Sequence, residues 1–175
     1  MNLGHRSPGS VAPPRSVLFL DIDGVLHSRD VAFALDDVKI PIEHLLNAGL
    51  LVHRHLLWQV LQAFPKVEVV VHSAWRWTHS RSELADLLGP AGARLIGVTP
   101  KELHREASVL AWMAYRSIAP TQVVVLDDQP ELFRALTSRL VVSDPALGMS
   151  KPSVLAALGN ALGQVSSAGD AHGSP

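Results

Sequence analysis

The 175-residue chain contains no cysteine. That excludes disulfides, thiolate metal sites and a thiol nucleophile, and it fits a reducing compartment. An excess of either charge is also missing: 15 Lys and Arg face 16 Asp and Glu, for a net charge of -1. A chain-wide coat for nucleic acid or a membrane surface is therefore not expected, although a local basic groove remains open. No apolar run is long enough to span a bilayer, and the N-terminus lacks the apolar region of a signal peptide. The expected location is the cytoplasm, with no membrane partner. There is no internal repeat, and no Gly-rich Lys-Ser/Thr phosphate loop.

What is present suits one domain with a substantial core: 47% of residues are hydrophobic and 18% charged. Residues 1–15 carry three Pro, two Gly and two Ser, and read as a disordered leader. Residues 164–175, rich in Ser, Gly and Ala, read as a flexible tail, which leaves 16–163 as the folded unit.

Within that unit, apolar runs alternate with helix-like stretches. Strands are expected at Val17–Leu20, Val67–His72, Arg94–Val98, Val123–Leu126 and Leu140–Val142. Helices are expected at 50–64, 80–88, 102–117, 130–138 and 151–162. Thr99 and Glu102 have the spacing of a capping box for the third of these. Residues 25–48 are less regular. Strands this continuously apolar are buried on both faces, so the pattern predicts an α/β Rossmann-like three-layer sandwich around a parallel sheet of about five strands. In such sheets ligands sit beyond the carboxyl ends of the strands.

Those ends carry the chemistry. The first strand runs into Asp21-Ile22-Asp23-Gly24, the second into Ser73, and the fourth into Asp127-Asp128. Two like charges ~4 Å apart repel by about 4 kcal/mol at an effective dielectric near 20, so gathered carboxylates need a cation. All-oxygen ligands favour Mg²⁺ over zinc. A carboxylate can attack phosphorus and form an aspartyl-phosphate, while a second acid protonates the leaving oxygen and then activates water. The transferred phosphoryl group also needs donors on its oxygens, from Ser73 and one basic residue.

These residues match a family. Phe19-Leu20-Asp21-Ile22-Asp23-Gly24-Val25-Leu26 resembles the first motif of haloacid-dehalogenase-like (HAD) phosphohydrolases. Val70-Val71-His72-Ser73 is similar to their second motif and Val124-Val125-Leu126-Asp127-Asp128 to their acidic fourth. The resemblance implies that Asp21 is the nucleophile and Asp23 the general acid/base. It implies Mg²⁺ on the Asp21 carboxylate, the Asp23 carbonyl and Asp127, with Asp128 close by, and a phosphoryl oxygen on Ser73. The third motif is a Lys or Arg, for which Lys101 and Arg105 both qualify. Arg105, 22 residues before Asp127, fits the family spacing better than Lys101 at 26.

A narrower resemblance rests on Ser73-Ala74-Trp75-Arg76, Gly97-Val98-Thr99-Pro100, Arg105-Glu106 and Asp144-Pro145-Ala146-Leu147-Gly148. It points to a bacterial HAD subfamily that includes domains associated with RNA-repair proteins. By analogy the phosphorylated substrate is a nucleotide or a polynucleotide end. The gaps between motifs are too short for a separate cap domain, so a minimal cap and an open site are expected.

Other readings stand beside these. Trp75, Arg76 and Trp77 either pack, with the arginine exposed, or stack on a base with Arg76 near phosphate. His53, His55 and His79 lack a zinc spacing and read as surface positions, and Asp36-Asp37 as part of a solvated loop. Asp21 and Asp23 do not open an EF-hand loop, because Gly24 falls at position four. A receiver domain is disfavoured because its phosphorylated Asp should end the middle strand, where Ser73 stands. Two functions follow: a Mg²⁺-dependent phosphatase, or a HAD-like binding or regulatory domain with little turnover.

Overall fold

In a parallel sheet covered on both sides, alternate residues of each strand enter opposite cores. The first strand, β1 (Ser16–Leu20), does this along its length. Leu18 and Leu20 enter one core and Val17 and Phe19 the other, all four without exposed surface. The computed structural model describes residues 16–32 and 41–171. The expected leader at 1–15 and the pair Asp36-Asp37 lie outside the described residues.

After β1 come two short helices, α1 (Arg29–Ala32) and α2 (Ile42–Asn47), then α3 (Arg54–Gln62) and β2 (Val67–Val71). They are followed by α4 (Arg81–Leu88), β3 (Leu95–Val98), α5 (Arg105–Arg116), β4 (Val123–Asp127), β5 (Leu140–Val142) and α6 (Pro152–Ala171). The five strands are parallel in the order β3-β2-β1-β4-β5. The chain thus builds outward from β1 to β3, then crosses to the other side of β1 to lay down β4 and β5. The reversal falls between β1 and β4, which is where an open α/β sheet forms its ligand crevice.

Helices α3, α4 and α6 cover one face, packing Leu57, Leu61, Leu84, Leu87, Leu158 and Leu162 against Leu18, Leu20, Val69 and Leu126. On the other face α5 brings Val109, Trp112 and Met113 to Phe19, Val70 and Val125. Phe19 and Trp112 meet edge to face at 5.5 Å, the geometry favoured by their quadrupoles. The result is the three-layer α/β sandwich that the sequence predicts. Among the described residues, neither gap between motifs holds a separate domain.

Several elements differ from expectation. Residues 130–138 form no α-helix, only 3₁₀ turns at Pro130–Leu132 and Thr137–Arg139. Phe133 and Leu136 are each buried in the core beneath α5, and the Leu136 N–H bonds Glu106 Oε1 at 2.8 Å instead of a helical carbonyl. Tertiary anchors here override local propensity. Helix α3 starts at Arg54 and not at residue 50, because Leu51 has a left-handed backbone (φ 59°). Helix α5 starts at Arg105, with His104 as its uncapped N-cap. The Thr99–Glu102 capping box does not form, and Thr99 Oγ1 instead accepts a bond from Ser108 Oγ at 3.0 Å. Residues 164–171, expected as tail, continue α6. Val165 is buried there, and its carbonyl accepts a bond from Ser16 Oγ.

Candidate active site

The sheet itself places the first two carboxylates. The Asp21 N–H donates to the Leu126 carbonyl at 3.0 Å, so β1 remains tied to β4 one residue past its formal end. Asp127 is the last residue of β4, and Asp128 follows it. All three acids are buried, and oxygens of Asp21, Asp127 and Asp128 lie within 4.8 Å of one another. Gly24 makes this packing possible. Its φ is +70°, and a Cβ built there would stand 1.8 Å from Asp128 Oδ2.

Three basic side chains surround the acids. Arg105 Nη1 donates to Asp21 Oδ2 at 2.8 Å and to Asp127 Oδ2 at 3.1 Å. Its own backbone lies in the left-handed region (φ 39°), a strained conformation at the residue that bridges two strands' acids. His72 Nε2 is 2.8 Å from Asp127 Oδ2, with both side chains fully buried. Arg29 Nη2, from α1, makes an ion pair with Asp128 Oδ1 at 2.5 Å.

The electrostatics divide the acids. Burial, helped by the charge on Asp127, holds the Asp21 carboxyl above the ordinary carboxylate range. Burial also raises Asp128, more than the Arg29 pair lowers it. Burial would raise Asp127 as well, but the bonds from His72 and Gln129 and the charge of Arg105 bring it below its usual value. Among the described residues, buried Asp21 Oδ1 and Asp128 Oδ2 have no hydrogen-bond partner. Orphaned carboxylate oxygens are costly unless something binds them. Two bare oxygens in a buried, all-carboxylate cluster fit a hard divalent cation of the Mg²⁺ type.

Asp23 stands beside this cluster, and its carboxylate is not one of the three gathered oxygen donors. Its charge adds to the rise of Asp21. Its Oδ1 receives Trp75 Nε1 at 2.8 Å and His27 Nε2 at 3.1 Å. Ser73 is buried just past the end of β2, where its Oγ caps the turn Ala74–Trp77 by accepting the Trp75 N–H. Lys101 is exposed, and its carbonyl accepts Trp77 Nε1. Of the two basic candidates, Arg105 is the one in contact with the acids.

Arg76 fits neither reading made from the sequence. It is 2% exposed, and its guanidinium donates to the carbonyls of His72, Ser73 and Leu103. It therefore ties the end of β2 to the loop before α5, and so Ser73 to the segment that carries Arg105. Sequence reasoning also missed Arg29, His27 and His72. The signal for His72 was available: a histidine directly after the apolar run Val69–Val71 and just before Ser73. Arg29 and His27 carried no such mark, because the turn after Gly24 brings them back over the acids.

No curated protein and no solved structure matches the chain significantly. One family does, over residues 17–154, a span that includes the ends of β1, β2 and β4 and the whole acid cluster. The chain belongs to that family, described as the HAD domain in Swiss Army Knife RNA repair proteins.

Proposed function

We propose that the protein is a Mg²⁺-dependent phosphomonoester hydrolase that works through a phosphorylated Asp21. The observation that carries this reading is the state of the Asp21 carboxylate. One oxygen is held by Arg105, and the other is buried among further acids with no partner among the described residues. An oriented carboxylate with one bare oxygen is the form a nucleophile takes.

Asp21, Asp127 and Asp128 would hold the cation, with the Asp23 carbonyl added by family resemblance. Bound there, it would offset the charge of the acids and of the phosphoryl oxygens. The chain's own groups account for the rest. The Asp21 oxygen forms a bond to phosphorus as the bond to the leaving oxygen breaks. Asp23 gives that oxygen its proton and leaves as carboxylate. In the second half, Asp23 takes a proton from water, whose oxygen bonds phosphorus. Asp21 is released with its electron pair and inorganic phosphate departs. Arg105 and the Ser73 hydroxyl serve as donors to the phosphoryl oxygens.

A cleft of about 360 Å³ lies beside Arg105, lined by Ala74, Arg76, Trp77, His104 and Leu132. Trp77 is 44% exposed there. An apolar wall with an open indole next to phosphoryl donors suits a leaving group that carries a nucleobase. A nucleotide or a polynucleotide end is accordingly the favoured substrate class.

The test is phosphate release with Mg²⁺ from nucleoside monophosphates, 5′- and 3′-phosphorylated oligonucleotides and small phosphoesters, with Asp21→Asn in parallel. The expected result is turnover on nucleotide-bearing esters and a loss of about 10³-fold or more in the variant. Activity that survives in Asp21→Asn would refute the covalent route. A second reading, a binding domain without turnover, draws on one observation: Arg105 and Arg29 make ion pairs with Asp21, Asp127 and Asp128 that offset part of their charge. It predicts no turnover on any ester, and partner affinity unchanged or improved in Asp21→Asn.

A further inference from the structure

Asp23 carries an arrangement that neither the motif nor the metal explains. Both of its observed side-chain partners converge on the same oxygen. Trp75 Nε1 donates to Oδ1 at 2.8 Å, and His27 Nε2 is 3.1 Å from that atom. Indole can only donate. The imidazole is made a donor by its other nitrogen, because His27 Nδ1 accepts the Leu51 N–H at 3.3 Å. A ring nitrogen that accepts a backbone N–H carries no hydrogen, so the hydrogen is on Nε2, facing Asp23.

Each donor is itself held. His27 is wholly buried and faces Asp23 because the turn after Gly24 brings the two residues into a backbone bridge. Leu51, which fixes the tautomer, has φ 59° and is 1% exposed. A leucine in that region is strained, and such strain persists only where its surroundings enforce it. Trp75 lies between two imidazoles, stacked on His79 at 5.1 Å and tilted against His27 at 5.8 Å. Rotation of the indole would break both contacts.

We propose that His27 and Trp75 are positioning residues for the proton-transfer carboxyl of Asp23. Together they occupy Oδ1 and leave Oδ2 as the atom that exchanges a proton with the leaving oxygen and then with water. This rests on the phosphatase reading and deepens it: it explains how one freely rotating carboxyl presents a single oxygen to the reaction. Without the two donors, the carboxyl samples rotamers in which the proton is misdirected, and alignment of a few tenths of an ångström is lost.

The role has a signature that a structural role lacks. Asp23 assists departure only when the leaving oxygen needs a proton. A nitrophenolate leaves without help, and the alkoxide of a nucleoside does not. The ratio kcat/KM reports the steps up to formation of the phospho-enzyme, so it isolates the acid function from the later attack by water. Wild type, Asp23→Asn, Trp75→Phe, His27→Leu and His27→Gln are compared on 4-nitrophenyl phosphate and on a nucleoside monophosphate. Trp75→Phe and His27→Leu are each expected to lose about tenfold more on the nucleotide than on the nitrophenyl ester, in the direction of Asp23→Asn. His27→Gln, which keeps an N–H donor at similar reach, is expected to recover part of that difference. Equal losses on both esters would overturn the proposal.

A measurement independent of turnover accompanies it. The Trp75 indole N–H resonance should shift in Asp23→Ala, and His27 should show its hydrogen on Nε2 by nitrogen chemical shift. An indole signal unmoved by Asp23→Ala, or a hydrogen on Nδ1, would overturn the contacts themselves. A wild type inactive on both esters would instead remove the phosphatase reading, and the catalytic role of Asp23 with it.

Discussion

Asp21 shows how burial and charge together prepare one residue. Its carboxyl is raised because burial penalises the anion and Asp127 repels it, and His72 and Arg105 only partly offset this. The sign of the consequence is definite. Below the unfolded value of 3.8 such a group costs the fold nothing, and the cost grows as pH rises from there through the folded value. Asp128 acts in the same direction. Asp127 is lowered, so its stabilisation is present above 3.8 and fades as pH falls through its folded value. A cation bound to the three carboxylates removes the penalty on the first two and must compete with their protons. Mg²⁺ is therefore expected to raise the melting temperature clearly at neutral pH and much less near pH ~4. At a hundredfold excess over Kd the gain is about 2.7 kcal/mol. Thermal melts with and without Mg²⁺ at both pH values check this. An equal shift at both, or none at neutral pH, would contradict it, and Asp21→Asn should shrink the shift.

At this scale the sequence was legible where chemistry repeats a motif. Asp21, Asp127 and Asp128 meet because strand ends meet. The partners of those acids were not legible in the same way. Arg29 and His27 reach the site through a reversal of the chain at Gly24, and nothing in their spacing from Asp128 or Leu51 encodes that contact. Arg76 was misjudged because an arginine beside two tryptophans is ordinarily a surface feature, whereas here three carbonyls surround the guanidinium.

Among the elements, Arg76 acts as a clasp. The carbonyls of His72 and Ser73 end β2, and the Leu103 carbonyl belongs to the loop that launches α5. Arg76→Ala leaves these acceptors without their donor and opens a void. The expected cost is about 2–4 kcal/mol, measured by urea unfolding. Arg76→Lys should recover little of it, because one ammonium cannot replace a planar fork spanning two segments. A loss below about 1 kcal/mol would show that the clasp is dispensable.

The strands were read from sequence nearly to their ends, since β-branched and apolar runs buried on both faces leave little ambiguity. The helices were less exact, and each miss has a tertiary cause. Phe133 and Leu136 anchor 130–138 to the core and break it into turns. Thr99 turns inward to Ser108 and does not cap α5. Val165 draws residues 164–171 into α6, although their composition suggests a tail.

For the whole molecule, strand order decides which side chains meet. Because β1 lies between β2 and β4, the ends of three adjacent strands deliver Asp21, Ser73 and Asp127 to one edge. Arg76 and α5 then bring Arg105 across that edge to bridge two of the strands. Among the described residues no helix is long and apolar enough to cross a membrane. With no separate domain between the motifs in the described part of the chain, the edge adjoins the cleft lined by Arg76, Trp77 and His104.

The proposed chemistry turns on Asp21 as the carrier of the phosphoryl group. The most direct measurement is rapid acid quenching of the enzyme with its best ester and Mg²⁺, followed by mass mapping of the peptide that holds Val17–Leu26. A burst of leaving group matched by one phosphoryl group on Asp21 is expected in the wild type, with none in Asp21→Asn. In Asp23→Asn the phosphoryl group should accumulate further on 4-nitrophenyl phosphate, whose leaving group needs no acid while attack by water is slowed. Turnover with no phosphorylated peptide in either wild type or Asp23→Asn, or with the phosphoryl group on another residue, would contradict it.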